Sequence, residues 1–194
     1  MNKLILASRS PRRIELIRML DQYAQSIPSE ADETFDDTRS PEQNVISTAY
    51  KKAKQVYDSN VIPDDTVVIG VDTIVVCDGQ VFTKPNDRAD AYRMIAMYSG
   101  RTHSVLSGVA LISNKQTLTF CEQSQVTFID LSAEEIESYL ATNEPYDKAG
   151  AYGIQGMAGL FVQRIEGCYY NIMGLPISAL YRVLRGEFGF TLNK

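Results

Sequence analysis

The run Val67–Val76, VVIGVDTIVV, leaves little choice of fold. Seven of its ten residues are Val or Ile, and the others are one Gly, one Thr and one acid, Asp72. So dense a β-branched stretch reads as a buried strand, and buried strands belong to sheets covered by helices. The acid conflicts with that reading, because an ionised carboxylate taken out of water without a partner costs several kcal/mol. Either Asp72 sits where the strand meets a cleft, with a cation beside it, or it is a strand-end acid bonded to backbone. The first reading organises the rest of the sequence better.

Helical and extended patterns alternate along the chain. Leu4–Ala7, LILA, is a short apolar strand, and Ser10-Pro11 then supplies an N-cap and a proline at a helix start. Ser40-Pro41-Glu42-Gln43 repeats the signal with a capping-box partner and predicts a helix to about Tyr57. Residues 66–76 are extended, Asp78-Gly79 turns a hairpin into QVFT, and a helix over Arg88–Tyr98 ends at Gly100. SVLSGVALIS and TLTFCEQSQVTFID follow as strands about a turn at Asn114-Lys115. Ser132 with Glu135 opens another capped helix, GLFVQRIEGCYYNI reads as a hairpin turning at Glu166-Gly167, and a last helix follows Pro176. The alternation predicts an α/β fold, a mixed twisted sheet flanked by helices, as one domain over residues 1–194. Two lobes within that domain remain open.

Composition narrows the function. A chain of 194 residues, 44% hydrophobic, can bury a sizeable core, while a net charge of −5 and pI near 5.0 argue against a nucleic acid polymer as partner. No apolar run approaches the roughly 20 residues that span a bilayer, and MNKLILASRSPRR is too brief for a secretory segment. Cys77, Cys121 and Cys168 lack CxxC spacing and read as reduced thiols of a cytoplasmic protein. With His103 the single histidine, any metal would be a hard cation held by oxygens, Mg²⁺-like, and shared with a ligand.

Several segments can do chemistry. ASRSPRR places Arg9, Arg12 and Arg13 at a helix start, where cations are electrostatically misplaced unless an anion docks against them with Ser8 or Ser10; solvated surface arginines are the plain alternative. SEADET offers Glu30, Asp32 and Glu33, and Lys51, Lys52 and Lys54 fall on the helix after Pro41. Lys84 precedes Pro85 at a strand end, where α/β proteins tend to bind ligands. DKAGAYGIQG has glycines at 150, 153 and 156, which let a ligand approach the backbone, and Gln155 brings an amide that both donates and accepts, although a structural Gly-rich turn would look the same.

Together these segments resemble the Maf family of nucleoside triphosphate pyrophosphatases. The matching stretches are LASRSPRR, SEADE, KKAK, GVDTIV, KP at Lys84–Pro85, SGRTHSV, EPYDKAGAYGIQG and GLP, in family order over nearly the whole chain. The resemblance implies hydrolysis between the α and β phosphates and a divalent cation, Mg²⁺, Mn²⁺ or Co²⁺. It also implies an inosine-triphosphatase-like α/β fold with two lobes around a deep cleft. Carried onto this sequence, Asp72 is the general base, and Arg12, Thr73 and Gln155 set substrate choice. Ser8, Arg13, Lys52 and Lys84 bind phosphate, while Glu33 and Asp72 face the metal. Of the tandem lysines, the family spacing favours Lys52. Arg12 after Pro11, and Gln155 within AGAYGIQG, look like the branch acting on dTTP and UTP rather than that acting on 7-methyl-GTP, with modified pyrimidine triphosphates a further option. The family is often dimeric, and a nucleotide-binding regulator of septation is the alternative role linked to it.

Overall fold

The computed structural model describes residues 3–192. In chain order the elements are β1 (Lys3–Leu6), α1 (Pro11–Ile17), β2 (Gln25–Ser26), α2 (Pro41–Ser59), β3 (Thr66–Cys77), β4 (Gln80–Phe82), α3 (Arg88–Tyr98), β5 (Thr102–Ile112), β6 (Thr117–Phe128), α4 (Ala133–Leu140), β7 (Val162–Glu166), α5 (Tyr169–Ile172) and α6 (Ile177–Glu187). Three short 3-10 turns lie between α4 and β7. The strands form one seven-stranded sheet in the order β2-β1-β3-β5-β6-β7, with β4 paired to β3. β1 runs parallel to β2 and β3, whereas β4 is antiparallel to β3 and β7 to β6. This is the mixed α/β sheet that the sequence predicts. None of the described helices is long and apolar enough to cross a membrane.

The chain divides into two compact units. One comprises the chain up to Asp72, Ser107–Glu122 and the chain from Gly174 on; the other comprises Thr73–Leu106 and Gln123–Met173.

In the first unit α2 packs on the sheet through Val45, Thr48, Ala49, Lys52, Ala53 and Val56, which recur at helical spacing and are buried. Ala49 and Ala53 share a core with Ile5, Ala7, Val68 and Ala110. The small residues have counterparts in the strands. A Cβ on Gly70 of β3 would fall on the Ala49 carbonyl and lie 2.7 Å from the Ala53 nitrogen; one on Gly108 of β5 would fall on the Val45 carbonyl. Helix backbone therefore rests almost directly on strand backbone. At its N-terminus α2 is held by the capping box expected from the sequence, with Gln43 N donating to Ser40 Oγ (3.2 Å) and Ser40 N to Gln43 Oε1 (3.0 Å).

The second unit is built on aromatic packing. Tyr98, His103, Phe128 and Tyr152 are buried together, with the Tyr98 and His103 ring centroids 4.4 Å apart and His103 Nε2 2.8 Å from Tyr152 OH. Burial opposes the imidazolium and pushes the His103 pKa down to about 3. The unfolded chain takes up that proton near the ordinary value of 6.5, so between about 6.5 and 3 the unfolded state binds more protons. Stability is unaffected above the window and falls as pH drops through it, at up to about 1.4 kcal/mol per pH unit. Denaturant unfolding across this range should give a shallower pH slope for His103→Gln than for the wild type. Equal slopes would show that His103 does not carry the acid sensitivity.

Two local expectations are corrected. Ser10 is the N-cap residue of α1, but its side chain makes no capping bond; Ser8 Oγ instead accepts from Ser10 N at 3.2 Å. The hairpin expected at Glu166-Gly167 does not form. β7 pairs with β6, and after Gly167 the chain enters α5. Ser124 Oγ on β6 accepts from Cys168 N and donates to Cys168 O, both at 3.0 Å. Those bonds take the backbone groups that a returning strand would have used.

Candidate active site

Asp72 stands where the buried run of β3 breaks, since Asp72 and Thr73 alone interrupt it before Val76. Its Oδ1 accepts from Lys52 Nζ at 2.8 Å, and the same ammonium lies 3.1 Å from Glu33 Oε1. The Lys52 side chain is 9% exposed, that of Asp72 17% and that of Glu33 56%. The acid within the strand is thus balanced by a lysine delivered from the packed face of α2. Lys52 falls on the same helical stripe as Val45, Ala49 and Ala53, whereas Lys51 is exposed. The inward lysine is the one expected.

Glu33 belongs to a segment, residues 27–35, without helix or strand. Side chains of α2 hold this segment and its continuation in place. Gln55 Oε1 accepts from Ser29 Oγ (2.7 Å) and Glu30 N (2.9 Å). Asn44 Oδ1 accepts from Asp36 N, and Asn44 Nδ2 donates to Asp36 O, each at 2.9 Å. Ser29, Asn44 and Gln55 were not among the expected site residues. Asn44 carries a legible signal, because Asn is unfavourable in a helix interior unless its amide bonds to nearby backbone.

Arg13 reaches inward from α1, with Nε donating to Gly174 O at 2.7 Å and Nη1 to Val71 O at 3.0 Å. The residue as a whole is half-buried, but its guanidinium is enclosed. Enclosure lowers its pKa, while the carboxylates of Asp72 and Glu33 favour its charge and Arg12 opposes it. Arg13 therefore ties α1 to the residue preceding Asp72 and adds a second cation to the field of the two acids. Ser8 is buried at the end of β1, and Arg12 is half-buried on α1.

The first unit thus brings together Arg13, Glu33, Lys52 and Asp72. Thr73, Lys84 and Gln155 belong to the second unit. Thr73 is half-buried on β3, Lys84 is exposed between β4 and α3, and Gln155 is exposed among the 3-10 turns. Gly150 N donates to Thr83 O at 2.9 Å, which fastens the glycine loop to the strand end before Lys84.

The donor set can be tested against a divalent cation. No group of three or more His, Cys, Asp and Glu side chains that could hold a metal occurs among the described residues. Glu33 and Asp72 offer carboxylate oxygens already gathered about one ammonium. That set fits a hard ion bound through one or two carboxylates and completed by the phosphates of a substrate, and it is unlike an all-protein cage.

A sequence profile described as Maf-like protein matches residues 3–187. The chain belongs to the Maf-like family. A Bacillus anthracis member named dTTP/UTP pyrophosphatase is 46% identical over 185 residues, which is 95% of this chain and 95% of the relative. A Bacillus cytotoxicus protein of the same name matches at 46% over 185 residues, again 95% of each chain. Among solved structures, the Staphylococcus aureus Ham1 protein superposes with a TM-score of 0.56 at 14% identity, covering 96% of this chain and 100% of its own. That likeness concerns the fold. Within this Maf-like chain, Arg13, Glu33, Lys52 and Asp72 come from four separated stretches, LASRSPRR, SEADE, KKAK and GVDTIV.

Proposed function

We propose that this protein hydrolyses dTTP and UTP, and modified pyrimidine triphosphates of the same base pattern, to the monophosphate and pyrophosphate. The observation that carries the reading is the meeting of Glu33, Lys52 and Asp72 in a chain aligned over 95% of its length with relatives named dTTP/UTP pyrophosphatase. In this reading Asp72 positions a water molecule and takes its proton as the oxygen attacks the α-phosphorus. The bond from that phosphorus to the α,β-bridging oxygen breaks, and pyrophosphate leaves with the electron pair. Lys52 and Arg13 hold the charge of Asp72 and Glu33 in place and offset the phosphates, with Ser8 and Lys84 as further phosphate contacts. With Mg²⁺, Mn²⁺ or Co²⁺ bound, Asp72 and Glu33 are the residues that would hold the ion, which would supply positive charge at the phosphate oxygens. Displacement at phosphorus depends mainly on positioning and charge stabilisation, and this arrangement supports both.

Base choice falls to Thr73, Gln155 and Arg12. Uracil and thymine present an acceptor at O4 and a donor at N3, which one glutamine amide can match, whereas cytosine reverses the pattern. A site built on such a pair rejects a base that leaves it unpaired. The reading has the enzyme act on free nucleotide in the cytoplasm, and the free thiols of Cys77, Cys121 and Cys168 are consistent with a reducing compartment.

Pyrophosphate release from a panel of canonical and modified triphosphates, with each of the three ions, tests the reading. dTTP and UTP should exceed CTP by about tenfold or more in kcat/KM. Absence of pyrophosphate release from both with every ion would overturn it.

A further inference from the structure

The proposed base-reading residue, Gln155, is exposed and lies in neither helix nor strand, so something other than a backbone ladder must hold its loop. A backbone turn, with Gly156 N donating to Gly153 O at 3.1 Å, closes over Ile154 and Gln155, and within the second unit the Glu144 side chain braces that turn against the core. Glu144 Oε2 accepts from Met157 N at 2.9 Å, and Glu144 Oε1 accepts from the hydroxyl of Tyr139 at 3.1 Å. Tyr139 is fully buried on α4, so one end of the brace is anchored in the core. The Glu144 backbone is fixed as well, since its carbonyl accepts from Lys148 Nζ at 2.6 Å and its N–H donates to Thr142 Oγ1 at 3.2 Å.

The loop is shaped to receive this carboxylate. A Cβ on Gly156 would fall on the Glu144 carboxyl group, and one on Gly153 would lie 2.6 Å from Lys148 Cε. The two glycines flanking Ile154 and Gln155 are thus positions where backbone passes against the brace and its neighbouring lysine. Their spacing has a packing cause in addition to any contact with a ligand.

We infer that Glu144 is a positioning residue for base selection: its carboxylate links buried Tyr139 to the Met157 amide and thereby sets the place of Gln155. The inference rests on the reading of Gln155 as base-recognising. Removing the brace frees the loop, so the amide no longer meets O4 and N3–H in one fixed orientation and can rotate to suit cytosine. The step most affected is discrimination between bases rather than the chemistry at phosphorus, in which Glu144 has no part.

The test compares wild type, Glu144→Gln, Glu144→Ala, Gln155→Ala and the double variant Glu144→Ala/Gln155→Ala. Each is assayed with dTTP and with CTP, and the readout is the ratio of the two kcat/KM values. That ratio is independent of the fraction of molecules that fold. It should fall about tenfold in Gln155→Ala and in Glu144→Ala, and by less in Glu144→Gln, which keeps one acceptor oxygen. The double variant should fall no further than Gln155→Ala alone, because the two residues act through one contact. A wild-type ratio in Glu144→Ala beside a lost ratio in Gln155→Ala overturns the inference and leaves the base reading standing. A wild-type ratio in Gln155→Ala overturns the base reading and the inference with it. Losses that multiply in the double variant show that Glu144 acts by another route and overturn the inference alone.

Discussion

Asp72→Asn should lower pyrophosphate release from dTTP by about 10²–10⁴-fold while the protein stays folded. The amide is isosteric and keeps an oxygen that can accept from Lys52, and Lys52 retains Glu33 at 3.1 Å as a charged partner. The structural cost is that of weakening one charge-assisted bond at a half-buried site, on the order of 1 kcal/mol. The chemical cost is far larger, because the amide cannot take a proton from water at any accessible pH. Melting curves and single-turnover rates separate the two effects. A variant that melts near the wild-type temperature and still turns over dTTP at a near-normal rate would remove Asp72 from the reaction.

The second large effect should come from a residue with no functional group. In Gly70→Ala the added methyl would collide with the Ala49 carbonyl and crowd the Ala53 amide. Both are helix backbone, which cannot turn aside as a side chain can, so α2 must lift from β3. Overpacking of this kind costs about 1–3 kcal/mol. Lys52 rides on the lifted helix, and displacement by about 1 Å at a catalytic constellation can cost about 10²-fold in rate. Unfolding in urea and kcat for dTTP should therefore fall together. Gly186→Ala is the control: that glycine sits in α6 with open space around its Cβ position, and alanine there should raise stability by up to about 1 kcal/mol. Wild-type stability and rate in Gly70→Ala would show that the close approach of helix and strand is not needed.

Much of this architecture is legible in the sequence alone. The β-branched strand expected at 66–76, which runs one residue further to Cys77, the capped starts at Ser40 and Ser132 and the helix at Arg88–Tyr98 are local signals, and they appear in the structure. Lys52 is singled out from Lys51 by the spacing of the family that the sequence resembles, and in the structure it shares the packed stripe of Ala49 and Ala53. The failures are non-local. Nothing around Gly167 announces that Ser124, on another strand, will take both backbone groups of Cys168 and convert a hairpin into a helix entry. The Glu33 segment looks like an unstructured acidic loop until Gln55 and Asn44 are seen to hold it. The Glu144 brace depends on a backbone amide 13 residues further on, at Met157. Short strands such as β2, with two residues, fall below what periodicity can detect.

The way the Glu33 segment is held has a thermodynamic consequence. With no ladder of its own, it draws its order from amide groups carried on α2, at Asn44 and Gln55. Loosening it without disturbing the helix means giving up those bonds first, and unwinding the helix frees the segment and Lys52 in the same event. The carboxylate and the ammonium that balances it thus belong to a single cooperative opening unit. Hydrogen exchange should accordingly show the Glu33 segment and the Lys52 turn of α2 opening together.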